Sequence, residues 1–321
     1  MKRIAVMTSG GDAPGMNAAL RAVVRAALAK GIEVYGIRQA YSGLLAGDFE
    51  RLTNREVSGI LQRGGTILQT ARNDEFRTPR GQQKGLRRLN EHGIEGLVCI
   101  GGDGSLRGAM SLHNLGIKVV GIPGSIDNDI YGTDMSIGVD TALNTILDSL
   151  DRLRDTATSH ERAFLIEVMG RNCGYLALVG GVLGGAELTL IPEKQLDLEE
   201  IGGRLEDAYM RGKNHAIAVI AEGARPNIHE VAKFLEERRI GFEVRITILG
   251  HIQRGGSPTA FDRLLASRMG IKAIELLHGG TSGVMVGLRG QEIVPVPLED
   301  VTTKHQPASL DYYEMADILS R

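Results

Sequence analysis

Glycine and aspartate gather in two stretches of this 321-residue chain, each at the end of an apolar run. They are Cys99-Ile100-Gly101-Gly102-Asp103-Gly104-Ser105 and Gly121-Ile122-Pro123-Gly124-Ser125-Ile126-Asp127-Asn128-Asp129. A buried parallel strand ends in this way at a ligand crevice. Glycines at 101, 102 and 104 remove side chains, so backbone N–H groups can approach a polyphosphate, and a helix N-terminus just beyond favours its negative charge. Asp103, Asp127 and Asp129 would repel a phosphate unless a cation intervened, so the expected chemistry handles phosphoryl groups with Mg²⁺. Glycine and aspartate are also ordinary turn residues, and one Gly-Gly-Asp-Gly alone is weak. Two such turns, one crossover apart, carry more.

Other stretches repeat the pattern with different chemistry. A strand over 3–7 opens into Thr8-Ser9-Gly10-Gly11-Asp12-Ala13-Pro14-Gly15-Met16-Asn17, where Gly11 is either a phosphate contact or part of a capped turn. Arg21 and Arg25, four apart on the helix that follows, form either a solvated face or a pair of guanidiniums for a phosphorylated ligand. Further on, Met169-Gly170-Arg171 follows a strand, Ser159-His160-Glu161-Arg162 precedes one, and Glu222-Gly223 ends another. Arg245 starts the strand that delivers Gly250-His251-Ile252-Gln253-Arg254-Gly255-Gly256. Taken singly, each arginine also suits a structural ion pair. Their shared place at strand ends favours a site for an anionic substrate beside a metal–nucleotide complex. A phosphorylated polyol fits, its phosphate gripped by guanidiniums and its hydroxyls donating to Glu222.

The elements that must position these groups alternate. Strands are expected over 3–7, 33–37, 96–100 and 119–122, with helices over 17–30, 81–91 and 105–115. One right-handed βαβ unit would then put Asp103, Asp127 and Asp129 on one sheet edge. A long helix over 139–154 leads to strands over 163–168, 188–191, 216–221 and 244–249, separated by helical segments. A helix over 261–277 and a hairpin of 283–288 with 292–296 close the chain.

Bulk properties limit the partners. The chain is 42% hydrophobic and 24% charged with a net charge of −2, so no electrostatic case for nucleic acid or membrane arises. Its two cysteines, Cys99 and Cys173, are too few for a disulfide framework and have no metal-ligand spacing, which fits the cytoplasm. No signal peptide is expected from the N-terminus, and the apolar run 176–185 is too short to span a bilayer. No Gly-x-x-x-x-Gly-Lys-Ser/Thr loop, Gly-x-Ser-x-Gly elbow or His-Glu-x-x-His is present, and the dinucleotide fingerprint is missed at Gly102, Gly104 and Gly108.

Over essentially its whole length the chain resembles bacterial ATP-dependent 6-phosphofructokinases. Five stretches carry the resemblance: 8–17, 101–105, 123–129, 169–171 and 249–258. It implies two Rossmann-like α/β three-layer domains with mostly parallel sheets. Residues 1–138 plus about 252–303 would hold ATP and Mg²⁺, and 139–251 plus about 304–321 would hold the sugar phosphate. Gly11, Arg72, Arg77, Gly102, Asp103, Gly104 and Ser105 would bind ATP, with Asp103 the Mg²⁺ ligand. Ser125, Asp127, Met169, Gly170, Arg171, Glu222, His251 and Arg254 would bind fructose 6-phosphate. Arg162 and Arg245 would reach it from a neighbouring subunit of a homotetramer. Asp127 would take the proton from the sugar 1-hydroxyl, while Arg72 and Arg171 would stabilise charge on the transferred group. Arg21, Arg25, Arg154, Gly185, Glu187, Arg211, Lys213 and His215 would form an effector site.

The implied reaction is the glycolytic phosphorylation giving fructose 1,6-bisphosphate and ADP. A pyrophosphate-dependent relative and a catalytically idle effector-binding homologue are the alternatives. Several positions depart from the family's pattern. Asn73-Asp74 replaces an aromatic–proline pair, Ser125 a threonine and Tyr175 an aspartate. Asn54, Gly59 and Asn214 replace charged residues of the effector site.

Overall fold

The computed structural model describes residues 1–158 and 162–320; Ser159, His160 and Glu161 lie outside the described residues. In chain order the first elements are β1 (Arg3–Ser9), α1 (Met16–Ala29), β2 (Glu33–Ile37), α2 (Ala40–Ala46) and β3 (Phe49–Leu52). After a 3₁₀ turn at Glu75–Arg77 come α3 (Pro79–Glu91), β4 (Gly96–Gly101), α4 (Asp103–Asn114), β5 (Lys118–Pro123) and α5 (Val139–Thr158). Then follow β6 (Arg162–Val168), α6 (Tyr175–Leu183), β7 (Leu188–Leu190), α7 (Leu198–Met210), β8 (Ala216–Ala221), α8 (Ile228–Arg238) and β9 (Glu243–Ile248). A 3₁₀ turn at Gly250–Arg254 leads to α9 (Ala260–His278), β10 (Val284–Arg289), β11 (Glu292–Pro297), α10 (Leu298–Thr303) and α11 (Leu310–Ser320). The chain forms two compact units. The first is Met1–Ile126, Ile130–Thr141 and Arg254–His305, and the second is Asp127–Asp129, Ala142–Gln253 and Gln306–Arg321.

The first unit is built on a seven-stranded sheet in the order β11-β10-β5-β4-β1-β2-β3. Its inner pairs are parallel, and the edge strands β3 and β11 are antiparallel to their neighbours. Ile4 to Met7 and Leu97 to Ile100 are completely buried, as strands covered on both faces require. Register decides what this sheet can do. Ser9 pairs with Gly101 and Gly101 with Pro123, so β1, β4 and β5 end level at one edge. The second unit holds a four-stranded, all-parallel sheet in the order β7-β8-β6-β9. Its core gathers Leu165, Leu190, Ile201, Leu205, Ile220 and Val231 around that sheet.

The expected strands and the β10–β11 hairpin are present, but several boundaries differ. Helix α4 begins at Asp103, not 105, with Gly102 as its N-cap, so Asp103 is the first helical residue. Helix α3 begins at Pro79, where the fixed φ of proline suits the first turn and the Thr78 side chain accepts from the Gly81 N–H. Four elements had no clear sequence signal: α2, β3, α10 and α11. Helix α2 carries Gly43 in its middle, where a Cβ would come within 1.6 Å of the Arg38 carbonyl oxygen. Close backbone approach demands this glycine, which locally reads as a helix breaker.

Candidate active site

In the first unit the level ends of β1 and β4 turn outward through glycine. Gly10 has φ +88, a left-handed conformation, and a Cβ there would sit 3.0 Å from the Ser105 Oγ. Across the turns the Ser105 hydroxyl donates to the Ser9 Oγ at 2.9 Å. Gly101 lies so close to β1 that a Cβ would meet the Ser9 carbonyl oxygen at 2.4 Å. Gly104 differs: nothing lies within 4 Å of where its Cβ would be, so a ligand has room beside the first turn of α4. The Asp103 carboxylate accepts from the Arg107 Nε at 3.1 Å and also pairs with the second arm of that guanidinium. This i,i+4 pair neutralises the carboxylate at the helix N-terminus, and an incoming cation would have to displace it.

A long irregular segment between Leu52 and Glu75 is sewn to this edge by side chains. The almost fully buried Asn17 donates through Nδ2 to the carbonyls of Arg63 and Gly64, both at 3.1 Å, and accepts from the Ile67 N–H at 2.9 Å. The Thr8 and Thr66 hydroxyls meet at 2.6 Å, and the Thr70 hydroxyl donates to the Gly10 carbonyl at 2.7 Å. Thr70 therefore ties the segment that leads to Arg72 to the turn at Gly10. Arg254 belongs to the same unit, with its guanidinium flat against Gly11: a Cβ on Gly11 would lie 1.9 Å from its Nη1. Gly11 and Arg254, expected on the nucleotide and the sugar respectively, thus touch. Ser125 is held by backbone, its carbonyl accepting from the Ser136 hydroxyl at 2.7 Å.

The second unit assembles its own cluster. Gly170 has φ +133, and a Cβ there would meet the Cys173 carbonyl oxygen at 2.5 Å. The Gly223 N–H donates to the Gly170 carbonyl at 3.3 Å and the Glu222 N–H to Val168 at 2.9 Å, which joins the turns after β6 and β8. Arg171 stands 80% exposed with its Nε 3.5 Å from the Glu222 carboxylate. The completely buried Gln253 accepts from the Met169 N–H at 3.2 Å and donates to the Gly250 carbonyl at 2.9 Å. His251, in the same 3₁₀ turn, is exposed. Burial, with the carboxylates of Glu193, Asp129 and Asp127 nearby, pushes the Cys173 thiol up to about 12. That thiol stays protonated.

Arg162 and Arg245 lie on adjacent strands and share one carboxylate. The Arg162 Nε donates to Glu243 at 2.7 Å, and Arg245 pairs with the same Glu243. Together they hold the Glu243 carboxyl below its usual range, Arg162 foremost. Within the same unit Arg154 donates to the Gly185 carbonyl at 3.1 Å and lies 3.4 Å from the His215 Nε2. Lys213 donates to the Glu187 carboxylate at 3.0 Å. Arg211 is the C-cap of α7. Arg21 and Arg25 lie on α1 in the first unit, where nothing among the described residues pairs them.

The phosphofructokinase family profile matches residues 3–277 of the chain. This chain is a phosphofructokinase family member. It is 54% identical over 320 residues to the ATP-dependent 6-phosphofructokinase of Natranaerobius thermophilus, with the whole of both chains covered. Identity to the protein of the same description from Thermotoga neapolitana is also 54%, over 321 residues and all of both chains. Among solved structures, Pichia pastoris phosphofructokinase in the T-state superposes with TM-score 0.90 at 39% identity, covering 94% of this chain and 35% of that one. A pyrophosphate-dependent phosphofructokinase from Marinobacter aquaeolei shares the fold, with TM-score 0.87 at 22% identity over 97% of this chain and 86% of that one.

Sequence reasoning passed over three residues that bond candidate site residues or the loops beside them: Asn17, Gln253 and Glu243. Asn17 and Gln253 lie inside the quoted motifs, so their presence was visible. What they bond to was not.

Proposed function

We propose that the chain is an ATP-dependent 6-phosphofructokinase, transferring the γ-phosphoryl group of ATP to the 1-hydroxyl of fructose 6-phosphate in the cytoplasm. The carrying observation is the β4–α4 turn. There Gly102 and Gly104 open backbone N–H groups at a helix N-terminus, beside Gly10 and level with the end of β1. Full-length identity to ATP-dependent relatives supports the same reading. In the proposal, the first unit holds ATP through Gly11, Arg72, Arg77 and Gly102 to Ser105. Sugar-phosphate binding rests on Ser125, Asp127, Met169, Gly170, Arg171, Glu222, His251 and Arg254.

Asp103 suits Mg²⁺. No cluster of three or more acidic, histidine or cysteine side chains that could hold a metal is found among the described residues. A single carboxylate fits an ion that takes the rest of its shell from phosphates and water. When bound beside Asp103, Mg²⁺ would supply neutralisation of phosphate charge. Asp127 accepts the proton of the sugar 1-hydroxyl as that oxygen attacks phosphorus. The exposed guanidiniums of Arg72 and Arg171 meet the charge gathering on the transferred oxygens, the term that dominates phosphoryl-transfer catalysis. Arg162 and Arg245, already paired on Glu243, exchange that carboxylate for the sugar phosphate of a neighbouring subunit. The proposal therefore includes a homotetramer. It also includes an effector site built on Arg154, Gly185, Glu187, Lys213 and His215, with Arg21, Arg25 and Arg211.

A coupled assay of ADP release with fructose 6-phosphate, repeated with pyrophosphate in place of ATP, tests the function. Turnover with ATP and none with pyrophosphate is expected. Comparable turnover with pyrophosphate would assign the donor otherwise, and none with either would leave the idle reading.

A further inference from the structure

The two arginines expected at the nucleotide do little to hold themselves in place. Arg72 is exposed, and among the described residues its guanidinium makes no hydrogen bond or ion pair. Arg77 is 81% exposed and only 3.7 Å from Asp74, itself 94% exposed, which is too loose and too wet to fix a direction. Their aim is set by the backbone that carries them, and two small polar side chains hold that backbone. The Ser42 hydroxyl, on α2, donates to the Arg72 carbonyl at 3.3 Å and accepts from the Asn73 Nδ2 at 3.2 Å. The Asn73 Oδ1 accepts from the Phe76 N–H at 2.9 Å and so ties down the 3₁₀ turn that bears Arg77.

The residue types suit this brace. A hydroxyl donates and accepts at once, and a primary amide offers a donor at one end and an acceptor at the other. Donors and acceptors run head to tail from Asn73 through Ser42 to Arg72, an order in which each bond polarises the next. The neighbouring residue of α2 reaches the other side of the site. The Tyr41 hydroxyl donates to the Ser105 carbonyl at 2.6 Å, and its ring stacks on Phe76 with centroids 4.0 Å apart. Consecutive side chains of one short helix thus fasten the turn at 102–105 and the segment 72–77.

We propose that Ser42 and Asn73 are positioning residues that hold Arg72 and Arg77 for the nucleotide, an inference that rests on the phosphofructokinase reading above. Asn73 does by hydrogen bonding what packing cannot do here, because both nearby rings, Tyr41 and Phe76, are buried against each other.

Steady-state kinetics on the full chain test it. Asn73→Ala breaks both bonds of the amide and is expected to raise the KM for ATP about tenfold. The KM for fructose 6-phosphate should stay within about twofold. Ser42→Ala, a smaller change, should give about three- to fivefold on the same constant. Asn73→Ser can still accept from the Phe76 N–H and should recover part of the loss. Ser42→Ala/Asn73→Ala should fall short of the product of the two single effects, since the Asn73–Ser42 bond is lost in both single variants. Unchanged KM for ATP, additive single effects, or equal rises for both substrates would overturn the brace. Calorimetric titration with MgADP separates this inference from the reading it rests on. Loss of MgADP affinity in Asn73→Ala supports the brace whatever the acceptor sugar, whereas an active parent whose variant binds MgADP unchanged removes the brace and leaves the kinase.

Discussion

Gly11→Ala separates site geometry from fold stability. An ideal Cβ on Gly11 would stand 1.9 Å from the Arg254 Nη1, 2.9 Å from its Cζ and 3.3 Å from its Nη2. Ordinary contact needs at least about 3.4 Å, so the guanidinium must retreat by roughly 1.5 Å. The obstacle is the far end of a flexible side chain that is bonded to nothing else among the described residues, so it moves cheaply. The substitution should cost less than about 1 kcal/mol of stability, within the range of surface changes and mild repacking. Activity should suffer far more, because a displacement of about 1 Å in a positioned charge can cost roughly 10²-fold in rate. We expect kcat/KM to fall about 10²-fold while the thermal midpoint moves by less than about 4 °C. The double variant Gly11→Ala/Arg254→Ala supplies the control. With the guanidinium gone the three atoms nearest the methyl group are removed, so Gly11→Ala should then add less than about threefold to the loss caused by Arg254→Ala. A full 10²-fold effect in the Arg254→Ala background would refute the reasoning, since the methyl would be acting elsewhere.

Three further outcomes are expected. Asp127→Asn should lower kcat by roughly 10²–10⁴ at saturating substrates with a smaller effect on ATP affinity, because an amide cannot accept the 1-hydroxyl proton; kcat within about threefold of the parent would move the base elsewhere. Asn54, Gly59 and Asn214 leave the proposed effector site short of charge, so millimolar phosphoenolpyruvate should shift fructose 6-phosphate half-saturation by less than about threefold, against the roughly 1–3 kcal/mol of ordinary coupling. A strongly sigmoidal rightward shift would show that those three positions do not matter. The completely buried Asp262 accepts from the Gly138 and Thr141 N–H groups at 2.8 Å and from the Thr141 hydroxyl at 2.5 Å, yet burial raises its carboxyl above the ordinary value. A raised acid in the folded state stabilises the fold below the unfolded-state value and loses that contribution as pH rises through the folded one. Relative to Asp262→Asn, the parent should therefore gain stability in urea titrations as pH falls from neutrality toward the ordinary carboxylate range, and a difference independent of pH would contradict this.

Much of the site was legible in the order of residues, and the reason is local. Apolar runs that are buried on both faces, such as 96–100 and 119–122, have little choice but to be inner strands, and glycine directly after them marks where backbone must be left open. Gly101 to Ser105, Met169 to Arg171 and the turn after Leu249 could thus be placed at strand ends without coordinates. Tertiary structure decided the rest, because it concerns pairs far apart in the chain. That Arg254 lies on Gly11, that Glu243 holds both Arg162 and Arg245, and that Asn17 binds the backbone at 63–67 are results of register and packing. Helix α2 shows the limit most plainly. Alone, Ala-Tyr-Ser-Gly-Leu-Leu-Ala around Gly43 is too short and too interrupted to nucleate a helix, since the first turn fixes several dihedrals for a single hydrogen bond. Burial of Tyr41, Leu44 and Leu45 supplies what local propensity lacks. Only in the folded chain does Ser42 come to lie beside Arg72, thirty positions away in sequence and one hydrogen bond away in space.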